Sequence, residues 1–227
     1  MIRRVDTTAA DQESARVFFD TLFAVYNLTG ASILDAFARN GQLTVSNYVN
    51  KLALPKEQLH LWELMPEHEE ALRQYTPHVR IGDSYQLIQR APANMYDLIV
   101  VDTPQGLHED KSGKLHAEHW DFVEKSLISL KRSGLLVLYV NKMPYDAREK
   151  GSHGYDEYRE YNYDVWMEMR RDLYGFERSH ADESFVAAYR RLLKGVGRDV
   201  QSMVVTPCHS DVEGLMPYAF RLGLEVV

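Results

Sequence analysis

Four carboxylates stand at the ends of short apolar runs, and their spacing is the first sign of chemistry in this chain. Asp35 follows Ser32-Ile33-Leu34, Glu63 follows Leu59 to Trp62, Asp83 follows Val79 to Ile81 and a glycine, and Asp102 follows Asp97-Leu98-Ile99-Val100-Val101. Asn141-Lys142 ends a fifth run that starts at Leu135. If these runs are parallel strands, their ends share one edge of a sheet, where doubly wound folds bind ligands. A carboxylate there can accept both hydroxyls of a ribose, which suits Glu63, and Asp83 followed by Ser84 can take an adenine amino group. The turn Ala38-Arg39-Asn40-Gly41 lets backbone N–H groups approach a ligand. With one glycine rather than three it is not a phosphate-cradling loop.

The elements that must position these residues alternate along the chain. Ala15, Phe18, Phe19, Leu22, Phe23 and Tyr26 recur at helical spacing and predict an amphipathic first helix ended by Asn27 and Gly30. Ser32 to Phe37 reads as a strand, Leu43 to Leu52 as a helix, Leu59 to Leu64 as a strand and Glu67 to Tyr75 as a helix. Val79 to Ile81 is a strand, Ser84 to Gln89 a short helix, and Tyr96 to Asp102 the clearest buried strand. A helix from about His116 to Lys131 leads through Gly134 into the strand Leu135 to Asn141. Strands and helices alternating in this way predict an α/β, doubly wound sheet with helices on both faces. In the last third, Tyr155, Tyr158, Asn162, Val165, Trp166, Met169 and Leu173 form one helical stripe, Phe176 to His180 reads as a strand, and Phe185 to Leu193 as a further helix. Ser202 to Thr206 reads as a final strand, and Gly214 to Val227 has no assignment.

Composition bounds the chemistry. At 227 residues, 45% of them hydrophobic, the chain fills a real core, and no linker divides it, so residues 1–227 are read as one domain with a core of about 31–142. Lys and Arg number 26 against 33 Asp and Glu, a net charge of −7, which argues against a protein that coats nucleic acid by neutralising phosphates. The single cysteine, Cys208, excludes a disulfide framework and a multi-thiolate metal site and favours a cytoplasmic setting. No stretch approaches the ~18 apolar residues of a membrane span, so no membrane is expected.

The stretch from about Ser32 to Lys142, roughly half of the chain, resembles the class I S-adenosylmethionine-dependent methyltransferases. Ile33 to Gly41 looks like their first motif, in the Asp-x-Phe-x-Gly-x-Gly form found in amino-methyltransferases of nucleic acids. Trp62-Glu63-Leu64-Met65-Pro66-Glu67 is similar to the second, whose acid binds the ribose, and Ile81-Gly82-Asp83-Ser84 to the third, which meets adenine. Asp97 to Pro104 resembles the fourth, and the turn at Gly134 into Leu135 to Val140 matches the strand that follows. Two positions depart from the pattern. Arg39 stands where the middle glycine is usual, offering a guanidinium to the cofactor carboxylate, and Gln105 stands where an aromatic ring would stack on a flipped base, which disfavours a base acceptor without excluding it.

The resemblance implies a Rossmann-like methyltransferase sheet, S-adenosylmethionine as cofactor, and Asp35, Phe37, Ala38, Arg39, Gly41, Glu63, Leu64, Asp83, Ser84 and Asp102 as cofactor-binding residues. Methyl transfer from a sulfonium is an in-line displacement that chiefly needs positioning. Asp102 is the candidate to orient the acceptor or take its proton, with Lys142 beside it, and Pro104, His108 and Tyr145 are candidate substrate-binding residues. The acceptor is a small molecule or a nucleic acid. His108, His116 and His119 with nearby acids also invite a metal reading, but a polar lid over the site is preferred and no metal is expected. Tyrosines and arginines after Tyr145 suggest a stacking and phosphate surface, yet residues 148–198 hold ten basic and ten acidic side chains, so no positive field supports it.

A helical insertion near the C-terminus is expected within residues 143–227, which complete the sheet and shape acceptor choice or carry a surface for a second copy or another protein. The competing reading is a non-catalytic subunit or scaffold with this fold, supported by Arg39 and Gln105. A nicotinamide dehydrogenase would need a three-glycine first turn, which is absent.

Overall fold

The computed structural model describes residues 9–52, 54–102, 106–110, 112–142, 157–208 and 219–227. In chain order the elements are α1 (Ala9–Val25), β1 (Ile33–Asp35), α2 (Val45–Leu52), β2 (Leu59–Glu63), α3 (Glu69–Arg73), β3 (His78–Ile81), α4 (Ser84–Leu87), β4 (Tyr96–Val101), β5 (Leu107–Glu109), β6 (Leu115–Ala117), α5 (Trp120–Ser129), β7 (Leu130–Asn141), α6 (Glu157–Tyr174), α7 (Asp182–Gly195), β8 (Val200–Pro207) and β9 (Ala219–Val226). Seven strands make one sheet in the order β3-β2-β1-β4-β7-β9-β8, and β5 and β6 form a separate antiparallel hairpin. The first five strands of the sheet run parallel, and β9 runs antiparallel to both β7 and β8. Chain order reverses between β1 and β4, and this topological switch point is where a ligand crevice opens.

Period-two alternation divides the strands between two apolar layers. Leu98 and Val100 of β4 face one way, with Ile33, Leu61, Leu135 and Val137, and are covered by Phe18, Phe19 and Leu22 of α1 and Tyr48 of α2. Ile99 and Val101 face the other way, with Leu34, Trp62, Leu136 and Leu138, and are covered by Phe122 of α5 and Phe185 and Tyr189 of α7. Both faces of the parallel strands are therefore buried, which is why they read as unbroken apolar runs.

Three expectations are corrected. The segment before α5 is not helical from His116: Leu115–Ala117 is strand, and Glu118 and His119 both take left-handed backbone, with φ of 56°, before the helix starts at Trp120. Phe176 to His180 is not a strand; Phe176 packs its ring on Tyr174 and Phe185, with centroids 5.7 and 5.0 Å away. The buried face of α6 holds Tyr163, Trp166, Met167, Arg170 and Tyr174, while Val165 is exposed. The unassigned C-terminal segment contains β9, the strand that runs antiparallel between β7 and β8. The helical part of the last third, α6 and α7, precedes the β8–β9 pair.

Gly223 of β9 lies directly beneath α1. A Cβ there would sit 2.7 Å from Leu22 Cδ1 and 3.4 Å from Phe18 Cζ, so Gly223→Ala must displace packed core side chains. We expect it to lower stability by about 1–3 kcal/mol in urea denaturation; an unchanged midpoint would show that α1 does not bear on the sheet here.

Candidate active site

The site is built around the loop that leaves β1. Asp35 is buried, and its carboxylate accepts from Thr44 Oγ1 at 2.6 Å, Tyr48 Oη at 2.7 Å and the Phe37 N–H at 3.2 Å. It thus ties the first residues of the loop to the start of α2. The Ala36 N–H donates to the Val100 carbonyl at 3.0 Å and the Ala38 N–H to the Trp62 carbonyl at 3.0 Å, so both neighbouring strands hold the loop. Arg39 has a left-handed backbone, with φ of 51°, and its N–H donates to Glu63 Oε2 at 2.7 Å. Gly41, with φ of 79°, is required twice over, since a Cβ there would lie 2.7 Å from the Tyr75 ring.

Glu63 is itself buried, with Oε1 accepting from the Met65 N–H at 2.9 Å. Two backbone donors orient it, and each oxygen keeps a further lone pair for a ligand. Leu64 and Met65, immediately after it, are 46% and 41% exposed and leave apolar surface beside the carboxylate. Asp83 caps α4 by accepting from the Tyr85 N–H at 2.9 Å through Oδ1. The Ser84 hydroxyl donates to the Ala36 carbonyl, joining the tip of β3 to the β1 loop. The structure therefore gathers Asp35, Phe37, Ala38, Arg39, Gly41, Glu63, Leu64, Asp83 and Ser84 along one edge.

Asp102 and Lys142 each pair with another residue. The buried Asp102 accepts from Arg221 Nε at 2.9 and 3.1 Å, and Arg221 Nη1 also donates to Ser14 Oγ at 2.9 Å. The Arg221 guanidinium lies 5.3 Å from the Tyr139 ring centroid. Burial works against that charge, and Asp102 more than offsets it. Lys142 instead donates to Asp182 Oδ1 at 2.8 Å and the His180 carbonyl at 3.2 Å, at the start of α7. Pro104 and Tyr145 lie outside the described residues.

The β5–β6 hairpin follows the tip of β4 and carries the three histidines. Asp121 Oδ2 lies 2.7 Å from His116 Nδ1, and Asp110 Oδ2 lies 3.1 Å from Nε2. The Tyr85 hydroxyl is 2.8 Å from His119 Nδ1, while the Tyr85 ring stacks on His116 and His108 with centroids 4.2 and 5.3 Å away. The fully buried Glu118 pairs with Arg170 at 2.6 Å and accepts from Trp166 Nε1 at 2.8 Å and Tyr174 Oη at 3.2 Å, anchoring α6. Arg221 and Tyr85 escape the sequence reading, while Glu118, one of the acids beside the histidines, and Arg170, one of the arginines of the expected phosphate surface, are instead buried against each other. A charge inside an apolar run, as at Arg221, is the one signal that a buried acid must face it. Among the described residues, no group of three or more His, Cys, Asp or Glu is disposed to hold a metal, and no helix is long and apolar enough to cross a membrane.

Two predictions test this geometry. Arg221→Met strands the Asp102 charge and should cost about 3–5 kcal/mol, whereas Arg221→Met with Asp102→Asn should recover most of it; equal losses would refute the pairing. Burial pushes Asp35 up to about 6 from its ordinary 3.8, despite hydrogen bonds from Thr44, Tyr48 and Phe37. Between those values the folded state holds a proton that the unfolded chain has released, so this contribution to stability is present at low pH and is lost as pH rises towards 6. Stability of the native chain relative to Asp35→Asn should therefore fall from pH 4 to pH 7 in paired denaturation curves, and a constant difference would contradict it.

No protein-family model matches the sequence, and no curated protein matches it. Solved structures share its fold. M. jannaschii TYW2 in complex with AdoMet is similar at a TM-score of 0.58 and 12% identity, over 98% of this chain and 78% of that one. Trm1 from Pyrococcus horikoshii with S-adenosyl-L-methionine is similar at 0.62 and 12% identity, over 100% of this chain and 58% of that one, so this chain spans little more than half of it. Magnesium protoporphyrin IX methyltransferase (ChlM) from Synechocystis PCC 6803 with bound SAH is similar at 0.53 and 15% identity, over 98% and 84%. The architecture is the Rossmann-like fold of class I S-adenosylmethionine-dependent methyltransferases.

Proposed function

We propose that this chain is a methyltransferase that uses S-adenosylmethionine, with the crevice between β1 and β4 as its site. The observation that carries the reading is Glu63: a buried carboxylate at the tip of β2, oriented by two backbone N–H groups, with exposed apolar Leu64 and Met65 beside it. That combination suits a ribose diol with an adenine above it. Asp83 Oδ2 and Ser84 lie on the adenine side. Phe37, Ala38 and Gly41 carry the methionine end, with Arg39 for its carboxylate and Asp35 positioning the loop through Thr44 and Tyr48. The bound cofactor supplies an activated methyl group.

The residues of this chain supply position. Asp102, fixed by Arg221, sets the charge at the tip of β4 and orients the acceptor side rather than acting as a free base. His108, Lys142, Pro104 and Tyr145 belong to the acceptor side in this reading, with Lys142 acting through Asp182. The acceptor is a small molecule or a nucleic-acid amine or hydroxyl. The three solved structures named above, with AdoMet, S-adenosyl-L-methionine and SAH, support the cofactor. The whole chain is one domain in this reading, and the single cysteine supports a cytoplasmic setting. Residues 143–227 complete the site and offer the surface for a second copy or a protein partner.

The ion pairs that occupy Asp102 and Lys142 favour one alternative, a subunit that keeps the fold without catalysis. Calorimetry with S-adenosylmethionine and S-adenosylhomocysteine tests the main reading. Saturable binding is expected, and Glu63→Ala should weaken it roughly 100-fold through loss of charge-assisted hydrogen bonds. No heat at millimolar ligand would overturn the cofactor assignment.

A further inference from the structure

The two edges of the seven-stranded sheet are unlike. At one edge, β3 is four residues long and carries exposed His78 and Arg80, and short strands with cationic side chains discourage another chain from pairing there. At the other edge, β8 is eight residues long, and Val200 to Pro207 contains no charged residue. Every second residue of an edge strand points its N–H and C=O groups outward. Among the described residues, no strand pairs with β8 on its outer side. A long, uncharged edge is a ready template for a further strand.

The helix beside that edge is uncharged on the same side. α1 runs along β8: Ser14 Oγ donates to the Pro207 carbonyl at 3.5 Å, and the Tyr26 hydroxyl, just past the other end of the helix, lies 2.6 Å from Ser202 Oγ. Ser14, Val17, Thr21 and Val25 recur every three or four residues and so share one side of α1. Ser14 is buried there, whereas Val17 and Val25 are 40% and 59% exposed. The Thr21 hydroxyl donates to the Val17 carbonyl at 2.9 Å, so it is satisfied within the helix. The charges of α1 are engaged elsewhere: Arg16 pairs with Glu13 and Asp20, and Asp20 with Lys51 of α2. On β8, Val204 packs on the α1 side of the sheet, and Val205, which alternation turns to the other face, is exposed.

We propose that β8 pairs antiparallel with β8 of a second copy about a twofold axis normal to the sheet, joining the two sheets and bringing the Val17, Thr21 and Val25 stripes of both α1 helices together on one side. A twofold axis makes such a contact self-complementary and closed. The chain carries a net charge of −7, so two copies meet with least repulsion at a surface that holds no charge. The area is sufficient. Strand and helix each extend about 26 Å, and a helix about 10 Å wide beside a sheet layer about 10 Å thick gives about 500 Å² per copy, or about 1,000 Å² in all, the threshold of a specific interface. The inference rests on the part of the proposed function that gives residues 143–227 a surface for a second copy, and it is independent of the cofactor.

Sedimentation velocity of the full chain, from micromolar to submillimolar concentration, tests the pairing. A species of twice the chain mass is expected to dominate as concentration rises. Val205→Lys, and separately Val17→Lys combined with Val25→Lys, should raise the dimer dissociation constant about tenfold or more, because the twofold axis sets like charges close together. Ile128→Lys, at an exposed position on α5, should leave it unchanged. Far-UV circular dichroism of each variant should match that of the native chain. Hydrogen exchange on the native chain supplies a second reading, in which amides of β8 are protected at high concentration and lose that protection on dilution. A monomer throughout the range overturns the proposal, as does a dimer that keeps its affinity in both lysine variants or shows no dilution-dependent protection in β8. All of these are read without S-adenosylhomocysteine, so failure of the cofactor reading, seen as absence of heat in calorimetry, remains a separate result.

Discussion

Backbone amides leaving the end of β1 have no strand ahead of them, and the site depends on where those amides go. β1 is three residues long. Its continuation is held on one side by the Val100 carbonyl of β4 and on the other by the Trp62 carbonyl and the Glu63 carboxylate of β2. Asp35 then secures the far end of the loop through Thr44 and Tyr48. A buried backbone donor without a partner is costly, so strand-end acids and the carbonyls of the two neighbouring strands are what allow a polar loop to sit at the top of an apolar sheet. The same hydrogen bonds fix the direction of Glu63, which makes loop order and ligand geometry one problem rather than two.

The last third of the chain is joined to that site by charge. β9 delivers Arg221 to Asp102, and α6 delivers Arg170 to Glu118, with Arg170 also donating to the Asn141 carbonyl at the end of β7 at 2.9 Å. All four side chains are buried. Well-packed apolar residues can stabilise a core as well as such pairs do, but removing one partner alone is strongly destabilising. These pairs therefore specify where β9 and α6 must dock. In the proposed function they also keep Asp102 from serving as an unencumbered base, so that the tip of β4 would contribute positioning.

Much of this was legible in the residues themselves. Leu98 to Val101 reads as a strand because both faces of a parallel sheet are buried, and Asp35, Glu63 and Asp83 stand out because an acid at a strand end has few reasons to be there. What escaped depends on partners distant in sequence. β9 contains Gly223 and Arg221, which argue against a strand until α1 is seen to need the space and Asp102, 119 residues earlier, to need the charge. The left-handed pair Glu118 and His119 interrupts an apparently helical pattern because Glu118 is drawn into the Arg170, Trp166 and Tyr174 cluster, which local periodicity cannot register. Strand ends alone suggest Lys142 beside Asp102, because both close strands of the sheet; the Lys142 side chain reaches Asp182 of α7.

In the proposed function the crevice between β1 and β4 takes an adenosyl group with Glu63 on its ribose. A crystal structure of the protein grown with S-adenosylhomocysteine is the decisive measurement. Both ribose hydroxyls should donate to the Glu63 carboxylate, with the Arg39 and Met65 amides still in place behind it and the adenine against Leu64 or Met65. Ligand density elsewhere, or a ribose that leaves Glu63 untouched, would contradict it.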